Sequence, residues 1–186
     1  MAKYKFEARL TKESIDNLIA QINTYQNTFH YKVLLLNQKL AEYGMQIAKS
    51  KLGILDDVGN TVWLVGFQIT TQTSDGKTIT ILRAYDTNKV ISTWVTKNGL
   101  QQAEISPLLM AEFGSGWNSQ NPLGIAGVGQ GTYPGQTHAL DKPGWNWQDA
   151  DGKWHFSEGV TPQMPMYSAC IEMENNFKRI AREVFG

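Results

Sequence analysis

The chain has 186 residues, of which 41% are apolar, enough to bury one full-sized hydrophobic core. Its 17 basic and 17 acidic side chains balance to a formal net charge of zero. A protein that grips duplex DNA normally carries a basic excess, so tight DNA binding is not expected. The longest aliphatic run, Val33 to Leu36, is far below the ~20 residues that cross a bilayer. We expect one domain over residues 1–186 and no membrane span.

The first residues and the cysteine content bear on where the protein folds. Residues 1–10 alternate charged and apolar side chains and lack the apolar core of a signal peptide, which predicts synthesis and folding in a cytoplasm. Cys170 is the only cysteine, so neither an internal disulfide nor a multi-cysteine metal site is possible.

The first predicted element is a long amphipathic helix from Thr11 to about Lys51. Apolar residues recur at steps of three and four, at Ile15, Leu18, Ile22, Tyr25, Phe29, Val33, Leu36, Leu40, Tyr43 and Ile47. Thr11 and Ser14 both suit the N-cap position. At about 1.5 Å per residue such a helix is roughly 60 Å long, more than a small domain covers. Either part of its apolar stripe is available to other chains, or the helix breaks near Gly44.

The apolar period then changes to two, which predicts three antiparallel strands in a meander. Alternation from Val62 to Ile69 indicates the first strand, and the turn at 74–77 leads into the second, Thr78 to Leu82. The third strand, Val90 to Val95, ends at the turn 97–99.

Residues from about 114 to 144 are rich in Gly, Asn, Gln and Pro, which predicts a long irregular loop inserted in the single domain. Loops beyond about 12 to 15 residues are usually functional or disordered, so we expect this one to face a partner. A second hairpin follows, with strands at 145–147 and 154–156 and aromatic residues facing across it.

The last predicted element is a helix that begins after Pro162 and Pro165. Its apolar stripe contains Met166, Cys170, Met173, Phe177, Ile180 and Val184. The expected fold class is therefore α+β, with a long N-terminal helix, an antiparallel meander plus hairpin, and a C-terminal helix packed on the sheet.

Several residue patterns resemble catalytic or metal sites, but their context favours structural interpretations. The glycine-rich stretch from residue 124 to 131 resembles a phosphate-binding loop, but the Lys-Ser/Thr pair that such a loop needs does not follow it. Asp149 and Asp151 start a calcium-loop pattern whose later ligands are missing, so a turn explains them better. Glu104 and Glu112 show no surrounding polar groups typical of a catalytic pair, and a solvated or interface role is preferred.

Two further alternatives stay open. Cys170 with His138 or His155 is the thiol–imidazole pair that a cysteine hydrolase needs, although a cysteine on an apolar helix stripe is more often a core residue. The chain also has six tryptophans. Those in or beside the loop, Trp117, Trp145, Trp147 and Trp154, suit a sugar-stacking platform, the core of the hairpin or the anchors of a subunit interface.

Two short motifs occur in a fixed order with the predicted elements. The segment Ala111-Glu112-Phe113-Gly114 follows the strands, and Gly159-Val-Thr-Pro162-Gln-Met-Pro165-Met166 leads into the last helix. The long helix carries Ile47-Ala48-Lys49 near its end. In this order the chain resembles the head–tail joining or tail-completion proteins of long-tailed bacteriophages, which lie in the neck between the capsid portal and the tail tube. Met166 occupies the position where that family usually has phenylalanine.

The resemblance implies a structural virion protein without catalysis, metal or cofactor. It implies a homo-oligomeric ring, expected to be hexameric, that joins the DNA-filled head to the tail. The neighbours of the ring would be a head-closure or adaptor protein on one side and a tail terminator or tail tube on the other. Genomic DNA would pass through the channel without tight binding. The motif residues expected at subunit interfaces are Glu112, Phe113, Gly114, Gly159, Pro162, Pro165 and Met166. The alternatives are a tail-terminator ring subunit and a cell-wall or carbohydrate-binding module that uses the Trp-rich hairpin.

Overall fold

A computed structural model describes residues 7, 11–55, 59–74, 76–88, 90–96, 99–114, 145–148 and 152–186. The helices and strands, numbered in chain order, are α1 (Lys12–Lys51), β1 (Ile54–Leu55), β2 (Gly59–Asn60), α2 (Thr61–Leu64), β3 (Val65–Ser74), β4 (Lys77–Asp86), β5 (Val90–Thr96), β6 (Gly99–Ile105), α3 (Pro107–Phe113), β7 (Trp145–Gln148), β8 (Trp154–Ser157) and α4 (Pro165–Phe185). The α+β class predicted from the sequence is confirmed.

Helix α1 is continuous over 40 residues, so the break considered at Gly44 is absent. Thr11 is the N-cap, and its hydroxyl accepts a hydrogen bond from the backbone nitrogen of Ser14. Gly44 instead permits a close approach, because a Cβ at this position would lie 2.6 Å from Met173 Sδ and 3.2 Å from Leu82 Cδ2. The long helix therefore meets α4 and β4 at this glycine.

The two longest strands form the hairpin that the sequence predicts, with Val65 paired to Asp86 and Ser74 paired to Lys77. The predicted start of the first strand is wrong, because residues 61–64 form the single helical turn α2. One face of the hairpin, which includes half-buried Phe67 and Leu82, lies toward the helices. The opposite face exposes its apolar side chains to solvent, namely Ile79, Ile81 and Tyr85.

The predicted three-stranded meander is also wrong. Strand β5 pairs with β6 in a separate antiparallel hairpin, from Val90 opposite Ile105 to Thr96 opposite Gly99. In the part of the chain that the structure describes, each sheet has two strands, and β4 does not pair with β5. Directly after β4, Thr87 donates from its backbone nitrogen to the Leu64 carbonyl oxygen and from Oγ1 to the Trp63 carbonyl oxygen, both at 2.9 Å. These bonds hold the chain against the residues before β3, so it does not turn back along β4.

The second predicted hairpin is present as β7 and β8, with Trp147 opposite His155 and Gln148 opposite Trp154. Trp154 and Phe156 alternate along β8 and so project from the same face. Their exposed fractions are 60% and 54%, so this face is not part of the core.

Helix α4 packs along the second half of α1. Ile180 and Val184 form a buried cluster with Leu36, flanked by Leu40 and Tyr43. A second cluster joins the end of α1, β3, α3 and the segment before α4 through Leu52, Val65, Met110, Ala111 and Val160. The core therefore lies on one side of the β3–β4 hairpin, between this hairpin, α3 and the second half of α1.

Candidate functional site

The short helix α3 is fixed at its start by the end of strand β4. Ser106 caps the helix by accepting a hydrogen bond from Leu109 N, and Pro107 occupies its first turn. The Asp86 carboxylate accepts hydrogen bonds from Ser106 Oγ at 2.6 Å and from Leu108 N at 2.8 Å. Since Asp86 ends β4, these bonds set the position of α3 relative to the hairpin.

The end of α3 in turn caps the start of α4. The N-cap residue Met164 has a left-handed backbone (φ 51°, ψ 51°) and provides no side-chain cap. The Glu112 carboxylate takes this role, since Oε2 accepts from Met166 N at 2.7 Å and Oε1 accepts from Tyr167 N at 2.8 Å. Both oxygens thus satisfy amides that would otherwise be unpaired at the positive end of the helix dipole.

Backbone bonds strengthen the same junction. The carbonyl oxygen of Ala111 accepts hydrogen bonds from Gln163 N at 2.7 Å and from Met164 N at 3.0 Å. Together with the two bonds to Glu112, they hold the last turn of α3 against the first turn of α4.

Gly114 is required by both its conformation and its surroundings. Its φ is +68°, and a Cβ would collide with the Val160 carbonyl oxygen and lie 2.8 Å from Pro162 Cδ. A glycine here lets the chain leave α3 in direct contact with the segment that precedes α4. We call the residues of these two segments, 111–114 and 159–167, the α3–α4 junction.

The structure therefore brings together the two motifs on which the family resemblance depends. Glu112, Phe113, Gly114 and Pro165 are buried, whereas Gly159, Pro162 and Met166 are half-buried. Within one chain these residues form a structural junction, and the geometry around Glu112 is that of a helix cap. The expectation that Glu112 could be a solvated carboxylate is wrong, because its side chain is buried and caps α4. Glu104, the second acid considered for a catalytic pair and set aside, lies in β6, and its side chain is outside the described residues.

A polar cluster that the sequence analysis missed adjoins the junction. Fully buried Thr61 donates through Oγ1 to the Gly53 carbonyl oxygen at 2.6 Å, and Gly53 N lies 3.1 Å from Gln163 Oε1. Thr61 Oγ1 is also 3.2 Å from Gln163 Oε1. The cluster ties the end of α1 and the start of α2 to the segment before α4. A single threonine at the end of a turn gives no sequence signal that its side chain will be buried and hydrogen-bonded.

An open groove of about 490 Å³ lies between α1, β4 and α4. Apolar side chains line most of it, including Leu40, Leu82, Met166 and Met173, and so does Cys170. The expected core position of Cys170 is wrong, because its side chain is exposed at this groove. The α1–α4 contact buries Ala169 and Ile180 instead, and Cys170 lies beside that buried strip.

The other residue patterns that resemble sites lie largely outside the described residues. Among those residues, no group of three or more His, Cys, Asp or Glu side chains is arranged to hold a metal ion. His138, the glycines between 124 and 131, and the turn acids Asp149 and Asp151 lie outside the described residues. None of the helices in the described part of the chain combines the length and apolarity that a bilayer crossing needs.

Large apolar side chains on several elements are exposed. They belong to the first half of α1, the outer face of the β3–β4 hairpin, β8 and α4, and include Ile15, Ile19, Ile22, Phe29, Tyr31, Ile79, Ile81, Trp154, Phe156, Ile171 and Phe177. On the first half of α1, Ile15, Ile19 and Ile22 follow the spacing of one helix face, and an exposed apolar stripe of this kind is typical of an association surface.

Comparison with known proteins gives no assignment, because no family model, no curated protein and no solved structure matches this chain.

Proposed function

We propose that this chain is a non-enzymatic structural subunit of a long-tailed bacteriophage, which forms a ring in the neck and completes the tail. Copies of the chain would close a hexameric ring between a head-closure or adaptor protein and the tail terminator or tail tube. The protein would be assembled in the bacterial cytoplasm and reside in the virion.

The observation that carries this proposal is that apolar side chains in the first half of α1 are exposed to solvent. The buried residues of this helix are Leu36, Ala41, Gly44 and Ala48, all in its second half. In the first half Ile15, Ile19 and Ile22 are exposed by 42%, 52% and 36%. Copies of the same chain or adjoining virion proteins would cover these side chains, and head-to-tail contacts that close produce a ring.

Two other features agree with a neck protein. The balance of 17 basic and 17 acidic residues suits a channel through which DNA slides without being held. The motif segments that the resemblance rests on meet in one junction within the chain, so they form a single structural unit.

The test is a phage from which this gene is deleted. We expect DNA-filled heads and separate, unattached tails by electron microscopy, and restoration of joined particles by a plasmid copy of the gene. Joined, infectious virions from the deletion strain would refute the proposed role. Unattached tails that end in a complete terminator would distinguish the neck position from a tail-terminator ring.

A carbohydrate-binding module is the second candidate, because Trp154 and Phe156 project from one face of β8 and are more than half exposed. Aromatic side chains in this arrangement suit stacking on sugar rings. A pull-down on peptidoglycan that is lost in Trp154→Ala and kept in Trp63→Ala, another exposed tryptophan, would favour this alternative.

A further inference from the structure

We propose that residues 1–6 of one copy of this chain add as an extended strand to the outer edge of β4 in a neighbouring copy, with their apolar side chains in the groove between α1, β4 and α4. The inference rests on the proposed assembly of identical subunits and names one contact between them. Residues 1–6 lie outside the described residues, which begin at Glu7.

The groove follows one edge of strand β4. Its lining includes Thr80 and Leu82 from the inner face of the strand and Ile79 from the outer face, so the groove runs along the edge between the two faces. The opposite edge of β4 is paired with β3, and no further strand among the described residues pairs with β4. Every second residue of such an edge directs its backbone N–H and C=O away from the paired strand. An extended strand is the ligand that satisfies these groups.

The other walls of the groove favour apolar side chains. Leu40 of α1 and Met166 and Met173 of α4 line it opposite β4, and none of the described residues in its lining is charged. The unbranched thioether side chains of methionine adapt to the shape of an incoming group. An added strand would direct every second side chain against these residues. The occupant is therefore an extended segment with apolar residues at alternate positions.

Residues 1–6 have this pattern, because Ala2, Tyr4 and Phe6 alternate with Lys3 and Lys5. Period-two alternation places the two sets on opposite faces of a strand. The apolar set suits the groove, and the lysine set suits the solvent side. Lysine on an exposed edge strand opposes the pairing of a further strand, so the sheet gains one strand and no more.

The solvent side of the added strand also has apolar surface to cover. Ile79 and Ile81 lie on the outer face of β4 and are 58% and 48% exposed. The aliphatic stems of the two lysines can lie over these side chains while the ammonium groups stay in water. One added strand thus reduces the exposed apolar area on both sides of β4.

Residues 1–6 are too short to reach the groove of their own chain. Glu7, their point of attachment, lies beside the first turns of α1, in a hollow that Asn17 and Gln21 also line. On α1 the groove begins at Asn37, which is about 24 Å beyond Gln21 along the helix axis. Six extended residues span at most about 22 Å and would also have to run along β4. A neighbouring copy must therefore supply the strand.

The length of α1 suits such an exchange. Helix α4 ends against α1 where the rings of Phe29 and Phe185 are 5.8 Å apart, and residues 12–28 extend roughly 25 Å past this point. Residue 7 and the residues before it are therefore attached far from the core of their own subunit. A strand on one copy and a groove on the next are unlike surfaces, so the contact is head-to-tail and can close a ring. It needs no element of any copy at the ring axis and leaves the channel open.

Disulfide formation with the native Cys170, which lines the groove, tests this contact. Full-length chains with Tyr4→Cys, Phe6→Cys or Lys5→Cys, each in a Cys170→Ser background, are mixed with a size-tagged wild-type chain and oxidised with copper phenanthroline. A disulfide needs Cα atoms about 4.4–6.8 Å apart. We expect mixed dimers from at least one of Tyr4→Cys and Phe6→Cys in several-fold excess over Lys5→Cys, whose side chain lies on the other face of the strand.

Analytical ultracentrifugation gives an independent measurement without oxidation. Cys170→Arg places a charge in the groove, and Asn175→Arg adds the same charge at an exposed position of α4 outside it. We expect Cys170→Arg to abolish the concentration-dependent association of the wild-type chain and Asn175→Arg to retain it. Thermal unfolding of both variants shows whether each is folded.

Equal dimer yields from all three cysteine variants, or a wild-type chain that stays monomeric at every concentration, would overturn the inference. A disulfide from Cys170 to a different virion protein, without mixed dimers, would also overturn it and assign the groove to that protein. Unattached tails from the gene-deletion strain without mixed dimers would retain the neck role and reject this contact. Mixed dimers alongside joined virions from that strain would retain the contact and reject the neck role.

Discussion

The carboxylate of Glu112 caps helix α4 through a 2.7 Å hydrogen bond from the backbone nitrogen of Met166. The two residues are 54 positions apart in the chain, yet this bond and its neighbour from Tyr167 satisfy the first turn of the last helix. The residue at the N-cap position provides no side-chain acceptor, so the cap depends on a different element of the fold.

Removing this cap should destabilise the protein. Glu112→Ala leaves two partly buried amides without their acceptor, and we expect the free energy of unfolding to fall by about 1–2 kcal/mol. Urea denaturation followed by circular dichroism measures the change. Glu158→Ala, at an exposed glutamate close to the same junction, is the control and should stay within about 0.5 kcal/mol of wild type. Equal effects of the two variants would contradict the capping role.

Gly114→Ala should destabilise the protein more than Gly76→Ala, because the added Cβ is both strained and crowded at residue 114 but only strained at residue 76. Both glycines have positive φ, +68° and +72°, but a Cβ at Gly76 meets no atom within 4 Å. We expect a loss of about 1 kcal/mol for Gly76→Ala from strain alone. For Gly114→Ala we expect about 3 kcal/mol or more, because the Val160 carbonyl must also move. The measurement is the denaturant midpoint of each variant, compared when both have the same dependence of unfolding free energy on denaturant concentration. Similar midpoints would rule out the close approach of Gly114 to the Val160 carbonyl.

Trp154→Ala should change stability by less than about 1 kcal/mol, since the residue is 60% exposed. Ile180→Ala is the comparison, because Ile180 is 3% exposed in the α1–α4 contact and its truncation should cost about 3 kcal/mol. Thermal unfolding of both variants tests the ranking. A larger loss for Trp154→Ala would place that ring in a packed interface.

Cys170 should react readily with a thiol reagent in the folded protein, because its side chain is exposed at the groove. We expect the labelling rate of the native protein to lie within about tenfold of the urea-unfolded rate. The unfolded protein controls for intrinsic reactivity. Protection of several orders of magnitude would instead indicate a thiol inside the core.

Local sequence signals predict much of this fold. The helical period and the Thr11 cap identify α1, and Pro165 with the following stripe identifies α4. The Asn98-Gly99 dipeptide in the predicted turn 97–99 is also a hairpin signal, and it therefore indicates the strand β6 that follows. Ser106-Pro107 is likewise a helix-start signal for α3.

Other features depend on contacts that no local pattern specifies. Cys170 and Ile180 occupy the same predicted stripe, but only Ile180 is buried, because the packing of α1 covers a narrower strip than the period suggests. The helix cap formed by Glu112 could not be predicted either, because the sequence motifs indicate a resemblance but do not show that residues 111–114 contact residues 159–167. The sequence singles out the motif residues as interface candidates, and only the tertiary structure shows that they meet within one chain.

The direct contact between Gly114 and the Val160 carbonyl has a consequence for sequence divergence. The chain leaves the core at Gly114 and returns to it at Val160 at the same place, and the two core clusters of the described residues contain no side chain from between these positions. Doubling the length of such an excursion costs only about 0.6 kcal/mol in closure entropy. A change of length between these two anchors should therefore disturb the two core clusters less than a change of length within them.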